Sequence, residues 1–345
     1  MPSDMTIFAE DYSSSKNKIK SSTYSKRLRF MSSRLPNLII AGVHKAGTTS
    51  LFVYLSKHPK IGASHIKEIG FFMPLRDGAS MPPIEEYKAY FSHCKDEQYV
   101  MEASPSYIYG EEKIADAIKE NCGNAKIIMI LREPIDRLGS FYNHIRSKAM
   151  MEENVDLYAF IQKSIQGIQD TSKQDYFTRG VREGFYSDYL QPWIEKYGED
   201  LKIVFFDDLK NHPMQLTAEI CEWLGISSEE YKASDFTVEN KTVYYKNKSI
   251  HKVILSMNKK LEAFWRKNHQ LKKKLRSFYY VFNANSSKGE SMDDRAKKIL
   301  EELYSPYNAR LLEMLKKQGY TKFPKWLNES KNYTAKNNTV ITETK

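Results

Sequence analysis

The sequence predicts an α/β fold of three layers, a central parallel sheet flanked by helices, with a helical extension toward the C-terminal end. Three observations carry this. Short apolar runs of the kind buried in parallel sheets recur at residues 38–41, 125–131 and 201–206. Each is followed by a polar or glycine-containing turn, and each turn opens a stretch whose apolar residues fall at helical spacing. Strands that alternate with helices in this way join into a parallel sheet through right-handed crossovers.

In chain order, residues 1–34 read as a polar arm in which Lys16, Lys18, Lys20, Lys26, Arg27 and Arg29 are scattered among serines. Pro36 leads into the first strand, Leu38-Ile39-Ile40-Ala41. After a glycine-containing loop, residues 48–57 carry Leu51, Phe52, Tyr54 and Leu55 as a helix that His58-Pro59 stops. Residues 99–102 supply a further short strand. The run 125–131 is followed by the turn Arg132-Glu133-Pro134 and a helix through Ile145. An amphipathic stretch over 185–197 precedes the strand at 201–206, and Asp207-Asp208 opens another helix into Trp223-Leu224.

Beyond residue 243 the character changes. Ile250, Ile254, Met257, Leu261, Phe264, Leu271, Leu275 and Phe278 recur at helical spacing, with lysines and arginines crowding the other positions. Residues 249–281 therefore read as a basic amphipathic helix or helix pair, either a lid over a cleft or a surface for an anionic or lipid-linked partner at a membrane. A final helix is expected over 293–315, then a polar tail over 327–345. The expected organisation is thus an arm (1–34), one main domain (35–326, including a basic lid or extension at 243–285) and the tail.

The composition excludes several classes. Of 345 residues, 41% are hydrophobic and only 15 are glycine and 12 proline, so the chain can bury a core and is neither disordered nor fibrous. No run approaches the roughly 18 apolar residues of a membrane span, and no apolar signal segment stands near the start. Cys94, Cys122 and Cys221 lie far apart, with neither disulfide nor metal-ligand spacing. On these grounds a cytoplasmic location is expected. The 53 Lys and Arg against 43 Asp and Glu give a formal net charge of +10, which favours anionic partners without naming one.

The chemistry lies in the motifs. Gly42-Val43-His44-Lys45-Ala46-Gly47-Thr48-Thr49 sits between a strand and a helix, where backbone N–H groups and the helix N-terminus gather around a phosphate or sulfate. The spacing is that of a P-loop, and the fold is P-loop-like. A nucleotide triphosphatase, however, needs Lys directly after the second Gly and then Ser or Thr on magnesium. Here Thr48 occupies the lysine's place and the lysine stands inside the loop at Lys45, which disfavours a P-loop kinase.

Residues 38–59, LIIAGVHKAGTTSLFVYLSKHP, closely resemble the 5′-phosphosulfate loop of sulfotransferases that use 3′-phosphoadenosine-5′-phosphosulfate (PAPS), particularly the heparan sulfate branch and its bacterial relatives. Lys67-Glu68-Ile69-Gly70-Phe71-Phe72 resembles that branch's acidic residue before two phenylalanines. Residues 127–140 resemble the 3′-phosphate motif, in which Arg132 ends a strand and Ser140 faces it from the next helix. Ser287-Lys288-Gly289 resembles the late cofactor loop, although Glu290 follows where the family has Arg. The four landmarks stand in the family's order over roughly residues 36–326.

The resemblance implies transfer of a sulfuryl group from PAPS to a hydroxyl, leaving adenosine 3′,5′-bisphosphate (PAP), with no metal required. Lys45, Ala46, Gly47, Thr48 and Thr49 would hold the 5′-phosphosulfate, Lys45 also acting in catalysis. Arg132 and Ser140 would grip the 3′-phosphate, with Ser287, Lys288 and Gly289 closing over it. The family's base position falls on Glu68, and Glu102 is either an acid supporting it from behind or a backup base. Several relatives in that branch carry Lys where this chain has Ala103, a missing charge that Lys67 could replace. Phe71 and Phe72 read as packing, and His44, His65 and His93 as structural or solvent-facing. A carbohydrate or glycolipid acceptor is expected first, with sterols, lipids and other small molecules as alternatives. A basic nucleic-acid-binding protein is the non-enzymatic alternative, and the expectation is no nucleic acid partner. Oligomeric state is not legible.

Overall fold

The computed structural model describes residues 34–148, 150–152, 154–169, 175–236, 244–245, 284–285 and 292–329. Strands β1 (Leu38–Gly42), β2 (Ile61–Ala63), β3 (Tyr99–Ala103), β4 (Lys126–Leu131) and β5 (Leu201–Phe205) form one sheet in the order β2-β3-β1-β4-β5. Every pairing is parallel: Ile39 lies opposite both Glu102 and Ile127, and Met129 opposite Ile203. Residues 38–41 have no exposed surface, as a strand covered on both faces requires. β6 (Tyr244–Tyr245) and β7 (Ala284–Asn285) pair antiparallel as a separate two-stranded ribbon. The expected basic helix at 249–281 and the loop Ser287-Lys288-Gly289 lie outside the described residues.

The helices are α1 (Thr48–Leu55), α2 (Met73–Arg76), α3 (Ile84–Ala89), α4 (Glu111–Cys122), α5 (Pro134–Ser147), α6 (Leu157–Gln166), α7 (Tyr176–Arg182), α8 (Tyr186–Tyr197), α9 (Phe206–Asn211), α10 (Pro213–Leu224), α11 (Asp294–Lys317) and α12 (Lys325–Glu329). Side chains fix several starts. Asp156, Asp175 and Asp293 accept from backbone N–H groups three residues on, at 2.7, 2.8 and 2.6 Å, and Pro134 opens α5 behind its Glu133 cap.

Two apolar clusters form the core. The larger encloses the sheet, and the smaller joins α5, α6, α7 and α11 through Leu138, Tyr142, Phe160, Val181, Leu300 and Tyr304. Burying each such side chain contributes roughly 1.5–3 kcal/mol before entropy. Helix α12 runs past residue 326 into the expected tail and buries Leu327 completely.

β1 is central, with β3 on one side and β4 on the other, so the chain switches direction across the sheet there. In open parallel sheets that switch point, at the carboxyl ends of the strands, is where a ligand crevice opens. The loop 43–47, Ala103 and Arg132 all lie at that end.

A candidate sulfate-binding cleft

β1 ends at Gly42, and the loop is tied to β4 where the Val43 N–H donates to the Ile130 carbonyl at 3.0 Å. Gly47 then turns the chain into α1 with a φ of +85°. A Cβ there would stand 2.8 Å from Leu209 Cδ2 and 3.0 Å from the Phe206 ring, so α9 leaves room only for glycine. The start of α1 has no side-chain cap, which leaves its N–H groups and partial positive charge for an anion. The side chains of Thr48 and Ser50 are buried, while those of Lys45 and Thr49 are partly open.

Among the described residues, the non-glycine positions with positive φ are Lys45 (65°), Glu68 (64°) and Glu111 (49°). Left-handed backbone costs a side-chain-bearing residue of order 1–3 kcal/mol and clusters where function imposes it. Lys45 and Glu68 face each other electrostatically. Burial lowers the Lys45 ammonium to about 8, opposed by Glu68 and assisted by Arg132, Lys148 and Lys67. Burial pushes the Glu68 carboxyl up, but Lys67 at 2.7 Å, with His44 and His144, more than offsets this and leaves it below the ordinary carboxylate range. The Glu68 side chain is 61% exposed, so its carboxylate is open to an incoming molecule. Lys67 Nζ is also 3.4 Å from Thr48 Oγ1, which brings an ammonium to the loop while Ala103 lies fully buried in β3.

Arg132 follows β4. Its Nη1 donates to the Lys45 carbonyl at 3.0 Å, its guanidinium lies 4.6 Å from the Phe206 ring centre, and Tyr186 holds its carbonyl at 2.7 Å. Its Nε is buried without a hydrogen-bond partner. A buried guanidinium donor without a partner suits a phosphate oxygen. Ser140 lies half-buried on α5, eight residues beyond Arg132.

Glu102 is completely buried. Tyr87 donates to it at 2.7 Å and Ser104 at 3.2 Å, while Ser104 Oγ accepts from the Gly70 N–H at 3.0 Å. Burial, opposed by bonds from Tyr87, Tyr107 and Ser104, raises its carboxyl to about 7. Its place is beneath the 68–72 turn. Phe71 and Phe72 pack on Tyr87 at 4.3 and 5.4 Å between ring centres, as expected of core residues.

Two features were not foreseen. His144 lies four residues after Ser140 on α5, and burial together with Lys45 and Lys148 lowers its imidazole to about 4. The spacing 140, 144, 148 on one helix face was the available signal. His44 is held by a buried cluster of Glu183, Arg179 and Arg137, of which Glu183 is 139 residues away along the chain. His65 and His93 stack on each other at 3.8 Å.

Residues 35–283 match the family model described as the sulfotransferase domain. The chain belongs to the sulfotransferase domain family. A bifunctional heparan sulfate N-deacetylase/N-sulfotransferase of Drosophila melanogaster is 23% identical over 316 residues, covering 86% of this chain and 27% of that protein. The human protein 2 of the same description is 29% identical over 204 residues, covering 56% of this chain and 22% of its own. The chain thus spans about a quarter of the length of these relatives. A sulfotransferase structure from Alicyclobacillus acidocaldarius superimposes with a TM-score of 0.59 at 22% identity, covering 84% of this chain and 98% of that one, and shares the fold.

The comparisons correct one expectation. A membrane-associated sulfotransferase, kil1, of Dictyostelium discoideum is 36% identical over 112 residues, 32% of this chain and 23% of that protein, so a cytoplasmic location does not stand. The expectation rested on missing apolar segments, and a sulfotransferase can associate with a membrane without revealing it in the matched region. No helix among the described residues is long and apolar enough to cross a membrane.

Proposed function

We propose that this chain transfers a sulfuryl group from PAPS to a hydroxyl of a carbohydrate or glycolipid. The observation that carries the reading is the loop itself, where Lys45, at positive φ and lowered by burial against the charge of Glu68, stands beside an uncapped helix start. The heparan sulfate descriptions of the relatives favour a carbohydrate acceptor, while their N-sulfotransferase names describe transfer to nitrogen, so the hydroxyl is carried by the motif resemblance and not by these relatives.

Lys45, with the N–H groups from Ala46 to Thr49, holds the 5′-phosphosulfate and neutralises charge on the leaving phosphate. Arg132, through its unpartnered Nε, and Ser140 grip the 3′-phosphate, to which the family resemblance adds Ser287, Lys288 and Gly289 as further binding residues. Glu68 accepts the acceptor's hydroxyl proton as the new O–S bond forms and the S–O bond to phosphate breaks, the electron pair staying on the phosphate. Glu102 acts from below, positioning the 68–72 turn through Ser104 and Gly70. Lys67 supplies the positive group missing at Ala103.

The test is ligand choice followed by turnover. PAP should raise the melting temperature, whereas ATP with magnesium should not. The sulfur-35 label of PAPS should pass to desulfated heparan oligosaccharides in wild type and not in Lys45→Ala. Stabilisation by ATP with magnesium but not by PAP would overturn the reading.

A further inference from the structure

His44 neighbours Lys45 in the loop, yet its imidazole is built into a buried ionic cluster. Its Nδ1 lies 3.2 Å from Glu183 Oε2. Arg179 grips the other oxygen of that carboxylate through Nε at 2.8 Å and Nη2 at 2.7 Å, and the fully buried Arg137 lies 3.5 Å from Oε2. Burial works against the Glu183 charge, but Arg179, His44 and Arg137 hold its carboxyl well below the usual range. A carboxylate without a proton can only accept, so His44 Nδ1 must be the donor. Arg179 Nη2 also lies 3.5 Å from Nδ1, at the outer limit of a hydrogen bond, so the shorter 3.2 Å contact to the deprotonated Oε2 decides where the proton sits.

With the proton placed on Nδ1, Nε2 on the far side of the ring carries the free lone pair whenever the imidazole is neutral. The ring is 23% exposed and Glu183 only 3%, so the edge bonded to Glu183 is the buried one and the Nε2 edge faces outward. Tyr109, 5.4 Å away and tilted by 42°, flanks one side. His44 directly precedes Lys45 in the loop, and its charge lowers both Glu68 and His144, so it belongs to the same electrostatic group as the candidate base. Among the described residues Nε2 has no hydrogen-bond partner.

We propose that Glu183 is a positioning residue that fixes His44 as the Nδ1–H tautomer, and that His44 Nε2 takes the acceptor's proton onward from Glu68 through a bridging water. This deepens the sulfotransferase reading and rests on it. The proton leaves the acceptor hydroxyl for Glu68, passes to Nε2 and is released to solvent, which restores both groups for the next turnover. Glu68, held below the ordinary carboxylate range, is poorly suited to keep that proton, and an imidazole held by a carboxylate is a well-placed recipient.

Two measurements test this. Imidazole nitrogen-15 NMR of wild type should show His44 as the Nδ1–H form, and Glu183→Gln should lose that preference; an Nε2–H form in wild type would overturn the role of Glu183. The second uses His44→Asn, whose side-chain N–H can replace the bond to Glu183 but has no Nε2. In steady-state hydrolysis of PAPS, with water as acceptor, it should lose about 100-fold in rate, while the rate of a single turnover and the affinity for PAP, measured calorimetrically, stay within about twofold of wild type. A wild-type steady-state rate in His44→Asn would overturn the relay, as would parallel losses of affinity and rate, which would mean that His44 only shapes the loop. If wild type bound no PAP, the PAPS reading would fail and the relay with it, while the tautomer measurement would still judge Glu183.

Discussion

Replacing Arg132 by alanine tests the nucleotide cradle at the point where geometry gives a magnitude. The guanidinium is 20% exposed, one Nη1 bond goes to the Lys45 carbonyl, and Nε is buried without a partner. Its nearby carboxylate, Asp136, is 3.9 Å away and 70% exposed, a weak competitor for a phosphate. Two charge-assisted bonds to a phosphate, from Nε and Nη2, are each worth about 1.5–3 kcal/mol. Discounting for partial exposure leaves about 3 kcal/mol, or a loss of roughly 100- to 200-fold in PAP affinity. Titration calorimetry with PAP and with adenosine 5′-phosphosulfate, which lacks the 3′-phosphate, separates direct contact from indirect effects. Arg132→Ala should weaken PAP by that factor and change the second nucleotide by less than about threefold. Arg132→Lys keeps the charge but not the planar fork and should recover only part of the loss. An unchanged PAP affinity would refute the reasoning. Equal losses for both nucleotides would show that Arg132 acts by holding the loop through Lys45.

Glu68→Gln should leave PAP affinity within about twofold and lower sulfuryl transfer by about 100- to 10,000-fold in a labelled-donor assay. Because Lys45 is lowered to about 8, PAP binding above that pH should take up a proton and weaken about tenfold per unit as pH rises; calorimetry in buffers of different ionisation enthalpy checks this, and Lys45→Ala should abolish the dependence. Glu102 has the opposite sign to a salt-bridged acid. With its carboxyl raised to about 7 from an ordinary 4.5, its contribution is neutral at low pH and turns destabilising as pH rises through that window, approaching about 3 kcal/mol above it. Glu102→Gln should therefore flatten the fall in melting temperature between about pH 5 and 7, measured by thermal melts across that range.

Four strands, and the helices after β1, β4 and β5, were legible because burial on both faces leaves unbroken apolar runs, although the single helix expected after β5 is two, α9 and α10, broken at His212-Pro213. The expected strand at 125–131 is β4 (Lys126–Leu131), and the expected helix at 293–315 is α11 (Asp294–Lys317). β2 was not legible: Ile61-Gly62-Ala63 is three residues at a sheet edge with a central glycine, too short for any period to show. The loop could be read from its place between a strand and a helix, whereas Glu68 and Arg132 were singled out by their resemblance to the family's motifs. The cluster at His44 could not. Arg137, Arg179 and Glu183 are the residue types that usually face water, and only the folded chain brings them together away from solvent. The burial of Glu102 beneath its turn was hidden for the same reason, because its partners Tyr87 and Tyr107 come from outside the strand that carries it.

A crystal structure with PAP bound tests the cleft most directly. The expected result has the 5′-phosphate on the N–H groups of residues 46–49 beside Lys45, the 3′-phosphate on Arg132 and Ser140, and Glu68 facing the 5′ end. PAP bound elsewhere, or bound with its two phosphates exchanged, would contradict the assignment of the loop and of every role built on it.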